Sequence, residues 1–274
     1  MRALKRLVLA VMFVLTAFLL TSPVLSAQTL VLSLTDPLGD DRGLGTYTYP
    51  KADVFKPGVF DITKFEIYLT EDKVIFKVFV KDLGGNPWNG PNGFSMQYIQ
   101  IYIKTKLRIP GRTDTIGLNI KIYKDSAWHM ALLLAPGWGS DPVPKGERAA
   151  IYYYNDTVIA QGNGFAVYAD PARNAIIAEI DRDLLLDVEH IEEWKYVVAL
   201  ASYDGFGPLR VRPVGVEAEE WVVGGGKELA KAILAGIEPR VMDLLAPTAE
   251  EQYEMLSSFN VERKTVAIVK ALTP

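Results

Sequence analysis

Apolar and polar residues alternate with a period of two along most of the chain. Between Lys73 and Lys81, Val74, Phe76, Val78 and Val80 share one face, and Lys73, Lys77 and Lys81 lie on the other. Between Met96 and Lys104, Ile99, Ile101 and Ile103 oppose Tyr98, Gln100 and Tyr102. The same pattern predicts strands over Leu30–Leu34, Lys64–Leu69, Ile116–Ile122, Trp128–Leu134 and Ile151–Tyr154. It continues over Gly164–Tyr168, Ala175–Ile180, Tyr196–Ser202 and Lys264–Leu272. Gly, Pro, Asn and Asp separate nearly all of these runs, as they do between antiparallel strands with one solvated face.

Helix signals are few. Asp183 is placed to cap a short turn from Leu184, and Lys227–Leu234 fits a short helix. Thr248-Ala249-Glu250-Glu251 has the capping-box form, with Tyr253, Met255 and Leu256 following as an apolar face. No internal repeat or low-complexity linker divides the chain. The expectation is an all-β antiparallel sandwich, one domain over residues 28–274, with long loops at Asp36–Phe60 and Pro136–Arg148.

The first residues bear on the compartment. Arg2, Lys5 and Arg6 precede an apolar run from Leu7 to Leu20, and the small-residue segment Thr21–Ala27 follows with Pro23 inside it. That order predicts a signal peptide over residues 1–27, cut after Ser26 or Ala27. The alternative is an uncleaved anchor, since Leu7–Ala27 reaches the ~20 residues a bilayer needs. Either reading places the body outside the cytoplasm, extracellular or at the cell surface. The C-terminal run Val266–Leu272 is too short and too charged to anchor a tail.

The chain has no cysteine, which removes disulfides, thiolate metal sites and thiol catalysis. The formal charge is −4, and losing the three cations of the leader makes the body more acidic still. Such a chain does not attract nucleic acid or an anionic membrane.

Asp36-Pro-Leu-Gly-Asp40-Asp41 sets three carboxylates within six residues, followed by Gly43 and Gly45. Carboxylates converge only where something offsets their repulsion, and Ca²⁺ does so with six to eight oxygen ligands. The spacing is not that of an EF-hand, and a solvated turn with Asx caps is the competing account. A second loop, Asn86-Pro-Trp88-Asn89-Gly-Pro-Asn92-Gly-Phe94, combines an aromatic ring with amides suited to sugar hydroxyls. Its competing account is a tryptophan that plugs one end of the sandwich. Trp128 and Trp138 invite the same two readings. Trp138, between glycines, is the stronger candidate for an exposed ring.

Catalytic patterns are missing. Gly137-Trp-Gly139-Ser140-Asp141 is not a nucleophile elbow. His190-Ile-Glu-Glu-Trp194 lacks the second histidine of a zincin, and Gly224-Gly-Gly-Lys227 lacks a P-loop's first glycine and its Ser/Thr. Glu179, Asp181 and Asp183 alternate along a strand end, where paired carboxylates could hydrolyse glycosides, but a strand edge leading into a cap explains them as well. His129 and His190 have no partner that the sequence identifies.

Taken together, Asp36–Pro50 and Phe55–Asp61 resemble the C-terminal module of glucodextranase, which also ends some amylopullulanases. Asn86–Phe94, Trp138, Tyr203-Asp-Gly205, Glu220-Trp221, Gly224–Gly226 and Val241–Leu245 extend the resemblance over roughly Leu30–Leu272. It implies a β-sandwich akin to family 9 carbohydrate-binding and DOMON-like modules, non-catalytic and stabilised by structural calcium. The implied calcium ligands are Asp36, Asp40 and Asp41, with Asp61 as a fourth. Trp88, Asn89, Asn92 and Trp138 are then the candidate contacts to a polysaccharide or envelope glycan. The alternative function is an envelope adaptor that binds another protein, such as a glycoside hydrolase or a surface-layer protein.

Overall fold

The computed structural model describes residues 27–273, so the expected signal peptide over residues 1–27 lies outside the described residues except for Ala27. Two antiparallel sheets face each other. The first holds β1 (Thr29–Thr35), β2 (Ile62–Leu69), β3 (Lys73–Val80), β9 (Phe165–Asp170) and β10 (Ala175–Asp181), in the order β1-β2-β3-β10-β9. The second holds β4 (Gln97–Lys104), β6 (Met130–Leu134), β7 (Ala150–Tyr153), β8 (Val158–Ala160), β11 (Lys195–Ser202) and β14 (Asp243–Leu244). Its order is β14-β11-β4-β6-β7-β8. Two short parallel pairs complete the strands: β5 (Ile120–Ile122) with β15 (Ala267–Val269), and β12 (Val214–Gly215) with β13 (Val223–Gly224). This is the expected all-β sandwich.

Alternation explains why the sheets close on each other. Phe65 and Ile67 of β2, Val74, Phe76 and Val78 of β3, and Ile176, Ala178 and Ile180 of β10 turn inward. They meet Ile99, Ile101 and Ile103 of β4, Met130 and Leu132 of β6, and Tyr196 and Val198 of β11. Phe65 spans the seam, stacked on Phe76 at 6.5 Å and edge-on to Tyr196 of the other sheet at 5.6 Å.

One expectation of the alternation fails on the second sheet. Tyr98, Gln100 and Tyr102 are buried, not solvated. A further layer covers that face, with Leu118, Ile120, Ile122, Trp128, Val211, Leu244, Leu256, Ala267 and Val269 packed against Tyr98, Tyr102, Ala131, Leu133 and Ala199. The polar ends of these side chains are bonded within the layer. Gln100 Nε2 donates to Ile116 O at 2.8 Å, and the Tyr102 hydroxyl donates to Gln100 Oε1 and accepts from Ile116 N–H. Trp128 belongs to this layer too: it is 1 % exposed and its indole N–H donates to Asp114 O at 2.7 Å.

The helices are short. α1 (Ala230–Ala235) follows a 3₁₀ turn at Lys227–Leu229, and α2 (Ala249–Leu256) starts at Thr248, whose Oγ1 accepts from Glu251 N–H at 3.2 Å. Asp183 does not cap a turn. It lies within the 3₁₀ turn Arg182–Leu184, which has no side-chain cap. The expected strand Ile116–Ile122 shortens to β5 because Gly117 and Asn119 have φ of 77° and 52°, outside the strand region. Among the described residues no helix is long and apolar enough to cross a membrane.

The long loops leave one end together. Ile62 pairs with Val80, Ala175 with Phe79, Gln97 with Ser202, and Ile99 with Leu134. Residues 36–61, 81–96, 135–149 and 203–213 therefore emerge side by side. Gln97 Nε2 ties two of them by donating to Val59 O at 3.0 Å and Leu83 O at 3.1 Å. Asn92 N–H bonds Pro136 O at 2.9 Å, joining a third.

Phe65 tests the seam. Phe65→Ala removes a ring packed against both sheets, and the expected loss is ~3–5 kcal/mol of unfolding free energy. Urea denaturation of the variant beside the parent protein measures it.

Candidate functional site

At the loop-bearing end, four aspartates from distant parts of the chain converge. Asp36 follows β1, Asp40 lies in the loop after it, Asp61 precedes β2, and Asp243 opens β14. All are buried, with Asp61 and Asp243 fully so. Carboxylate oxygens of Asp36, Asp40 and Asp243 lie within 4.8 Å of one another. Protein groups satisfy only part of the set. Asp243 accepts from Ile62 N–H at 2.6 Å and Leu244 N–H at 2.9 Å, and Asp36 Oδ1 accepts from Ala246 N–H at 2.8 Å. Asp61 Oδ2 accepts from Gly39 N–H at 3.0 Å and faces Lys81 Nζ at 3.6 Å. Asp36 Oδ2, Asp61 Oδ1 and both oxygens of Asp40 are buried with no hydrogen-bond partner among the described residues.

The electrostatics follow from this geometry. Burial, then the neighbouring Asp40 and Asp61 charges, push Asp36 up to about 8 against its bond from Ala246. Burial raises Asp40 to about 6, with Asp61, Asp41 and Glu250 adding to it. Asp61 and Asp243 are raised by burial and by their carboxylate neighbours. Orphaned buried acceptors of this kind are costly. An all-oxygen, all-anionic donor set fits a hard divalent cation, and the irregular arrangement suits Ca²⁺ better than the strict octahedron of Mg²⁺.

Asp41 takes another part. It accepts a hydrogen bond from the Tyr49 hydroxyl, which in turn accepts from Gly58 N–H and Phe60 N–H at 3.2 Å each. It buttresses the loop beside the cluster. Asp243 has the place that sequence spacing alone did not reveal, 182 residues beyond Asp61 in the chain. Gln252 of α2 locks the arrangement: its amide donates to Asp40 O at 2.6 Å and Gly43 O at 3.1 Å while its carbonyl accepts from Leu244 N–H at 2.7 Å. Gly43 has a φ of 57°, and a Cβ there would lie 2.4 Å from the Tyr47 ring. Only glycine permits that approach.

An aromatic ledge adjoins the cluster. Tyr49 meets Phe60 edge-on at 5.1 Å, and Phe60 lies 6.2 Å from Phe55. On buried Phe55 sit Trp221 at 5.7 Å and Trp88 at 6.4 Å, with the two indoles 6.1 Å apart. Trp88 is 38 % exposed and Trp221 43 % exposed. The Arg212 guanidinium lies 4.9 Å from the Phe55 ring and 5.9 Å from Trp221. It also donates to Trp221 O, Tyr203 O and Ser202 Oγ, which holds the ledge in place.

The other residues singled out in the sequence divide. Trp138 is half-buried on Tyr203 at 5.7 Å, one loop along from Arg212, and Asn89 is exposed with a φ of 52°. Asn92 is buried, and its amide is committed to Ala135 O and Gln161. Phe206, on the 203–213 loop, is fully exposed. Glu179 accepts from the Tyr168 hydroxyl and Asp181 pairs with Lys73 at 2.6 Å, so two of the three strand-end carboxylates have structural partners. His129 Nδ1 bonds Thr105 Oγ1 and His190 Nδ1 bonds Asp187, partners visible only in three dimensions.

A search of the curated proteins finds no match to the chain. A family match covers residues 31–271, from within β1 to beyond β15, and so takes in both the acidic cluster and the aromatic ledge. The chain belongs to the family of C-terminal, SLH-like binding modules of glucodextranase.

Proposed function

We propose that the protein is an exported glycan-binding module whose loop-bearing end is held in shape by a calcium ion. The family is one of binding modules and not of catalytic domains, which supports a non-catalytic role. The observation that carries the glycan reading is the pair of half-exposed indoles, Trp88 and Trp221, set on a buried base of Phe55 and Arg212. Rings held this way offer flat apolar faces without an ordering cost on binding. Asn89 and Trp138 lie on neighbouring loops and complete the proposed surface. Asn92 supports it from beneath.

The calcium reading rests on the four aspartates and their orphaned oxygens. Asp36, Asp40, Asp61 and Asp243 would hold the ion, and the charge it supplies offsets their repulsion. The contact chain Tyr49–Phe60–Phe55 links that charge balance to the ledge. The body is proposed to act outside the cell, on a polysaccharide or envelope glycan.

Affinity electrophoresis of the chain without its leader, through gels containing starch, dextran or pullulan, tests the binding claim. Trp88→Ala and Trp221→Ala are each expected to weaken retardation about tenfold, ~1.4 kcal/mol, at an unchanged circular dichroism spectrum. Retardation in none of the gels sinks the glycan reading and leaves a protein partner as the ligand class.

Calcium at about 100 times its Kd is expected to stabilise the fold by ~2.7 kcal/mol, a melting shift of roughly 5–10 °C that chelator removes. Asp40→Asn gives effects of opposite sign in the two conditions. No protein donor is lost, because neither Asp40 oxygen has a partner. In chelator the variant is expected to melt higher than the parent because one repelling charge is gone. In calcium it is expected to melt lower because one ligand is weakened. A variant that melts lower in both conditions counts against the site.

The pH dependence follows from the raised carboxyls. Folded-state values of about 8 for Asp36 and about 6 for Asp40 lie above the ordinary value of 3.8. Each therefore favours folding while protonated, and that stabilisation is lost as pH rises from about 4 through 8. The chelated protein is expected to melt at a lower temperature at pH 8 than at pH 5, and the gap between calcium and chelator should widen over the same range. Calorimetry at both pH values reads both effects.

A further inference from the structure

The outward face of the five-stranded sheet carries a second recess, which runs from the middle of the sheet to the β9–β10 turn. Its residues form a grid set by strand pairing. Tyr68, Ile75 and Glu179 lie in one row across β2, β3 and β10. Glu66, Lys77, Ile177 and Tyr168 lie in the next row, which extends to β9. An outward sheet face is ordinarily solvated. Here Ile75 is 3 % exposed and Ile177 6 % exposed, so the middle of the face is an apolar floor. Above it lies a hollow of about 580 Å³, bounded by Tyr68 and Lys77 on one side and by Tyr168, Glu179 and Arg173 on the other. That volume falls within the ~300–1,000 Å³ typical of ligand sites.

Both tyrosine rings are held. The Tyr68 hydroxyl donates to Glu66 Oε2 at 2.9 Å, and Lys77 Nζ lies 4.1 Å from the ring centroid. The Tyr168 hydroxyl donates to Glu179 Oε1 at 2.5 Å. The rings stand three strand spacings apart, ~14 Å, across the strand direction. Charge on the face is balanced internally. Lys64 pairs with Glu66, Lys73 with Asp181, and Arg173 with Asp170, while Lys77 sits over Tyr68. Among the described residues of this face no surplus of either sign awaits an ionic ligand. The apolar floor is two isoleucines wide, far short of the ~800 Å² that a stable protein interface buries on each partner.

We infer that this recess is a second binding site, for a neutral oligosaccharide chain lying across the strands between Tyr68 and Tyr168. The C–H faces of the sugar rings would rest on the tyrosines and on Ile75 and Ile177. Hydroxyls would bond Glu179, Lys77 and Arg173, groups that line the recess and are already paired and so fixed in direction. The inference takes its ligand class from the proposed function, but its site shares no residue with the aromatic ledge. Two sites on one module would raise retention on a polymer far more than on a short oligosaccharide, because the second contact becomes intramolecular.

The experiment uses the same starch, dextran and pullulan gels with three variants: Tyr68→Ala/Tyr168→Ala, Trp88→Ala/Trp221→Ala, and all four changes together. Circular dichroism checks each fold, and Tyr68→Phe/Tyr168→Phe, which keeps both rings, serves as the conservative control. The tyrosine pair is expected to weaken retardation about tenfold. The tryptophan pair should leave residual retardation that disappears in the fourfold variant, and the phenylalanine pair should keep most of it. Retardation of the tyrosine variant equal to that of the parent overturns the sheet-face site and leaves the ledge standing. Loss of all retardation in the tryptophan variant alone overturns it as well. A parent protein retarded in no gel overturns both sites together.

Discussion

Four aspartates held within one buried space impose the condition that the loop-bearing end of this sandwich has to meet. Asp36, Asp40, Asp61 and Asp243 come from the end of β1, the loop beyond it, the start of β2 and the start of β14. Their separation in sequence makes them a clasp: bringing them together ties the edge of one sheet to the edge of the other. Backbone donors from Gly39, Ile62, Leu244 and Ala246 meet part of the cost. The oxygens left over repel one another in a medium too poor in water to screen them. A divalent cation there would resolve the conflict, which is why the proposed ion is assigned to holding shape and not to chemistry.

The same end carries the aromatic ledge, and the two features share supports. Tyr49 is bonded to Asp41 on one side and meets Phe60 edge-on on the other, and Phe60 leads to Phe55 beneath the two indoles. Arg212 is buried yet spends its donors on backbone carbonyls and Ser202, so its cost of burial is offset by bonds that position Trp221. A rigid base matters more to binding by stacking than to most functions. A ring that must be ordered on contact gives back in entropy part of what it gains.

The two sheets meet solvent differently. The six-stranded sheet is buried on both faces, its outer side covered by β5, β15, α2 and the segments joining them. The five-stranded sheet keeps its outer face open, and that asymmetry leaves the recess between Tyr68 and Tyr168 accessible. A module with one closed face, one open face and one elaborated end would present two separate surfaces to the proposed polymer.

Period-two alternation was enough to place the strands that build both sheets, except the short edge strands β8 and β14, because each carries an apolar row that must find another. The capping box at Thr248 was legible for a similar reason, being satisfied within four residues. Asp36, Asp40 and Asp41 drew notice as a cluster, and Trp88 and Trp138 as rings in glycine-rich loops. What the sequence could not give were relations between distant residues. Asp243 stands in an apolar segment, Val241–Leu245, with nothing local to mark it as part of an acidic site. Trp221 follows a run of glutamates and reads as solvated surface until Phe55 and Arg212 are found beneath it. Tyr98, Gln100 and Tyr102 read as a wet face because their polar ends permit it, and only the covering layer decides otherwise. Local pattern records what each residue can tolerate on its own strand or turn. Which carboxylates share a space, which rings stack and which face is covered depend on contacts closed across the chain, and these the tertiary structure alone decides.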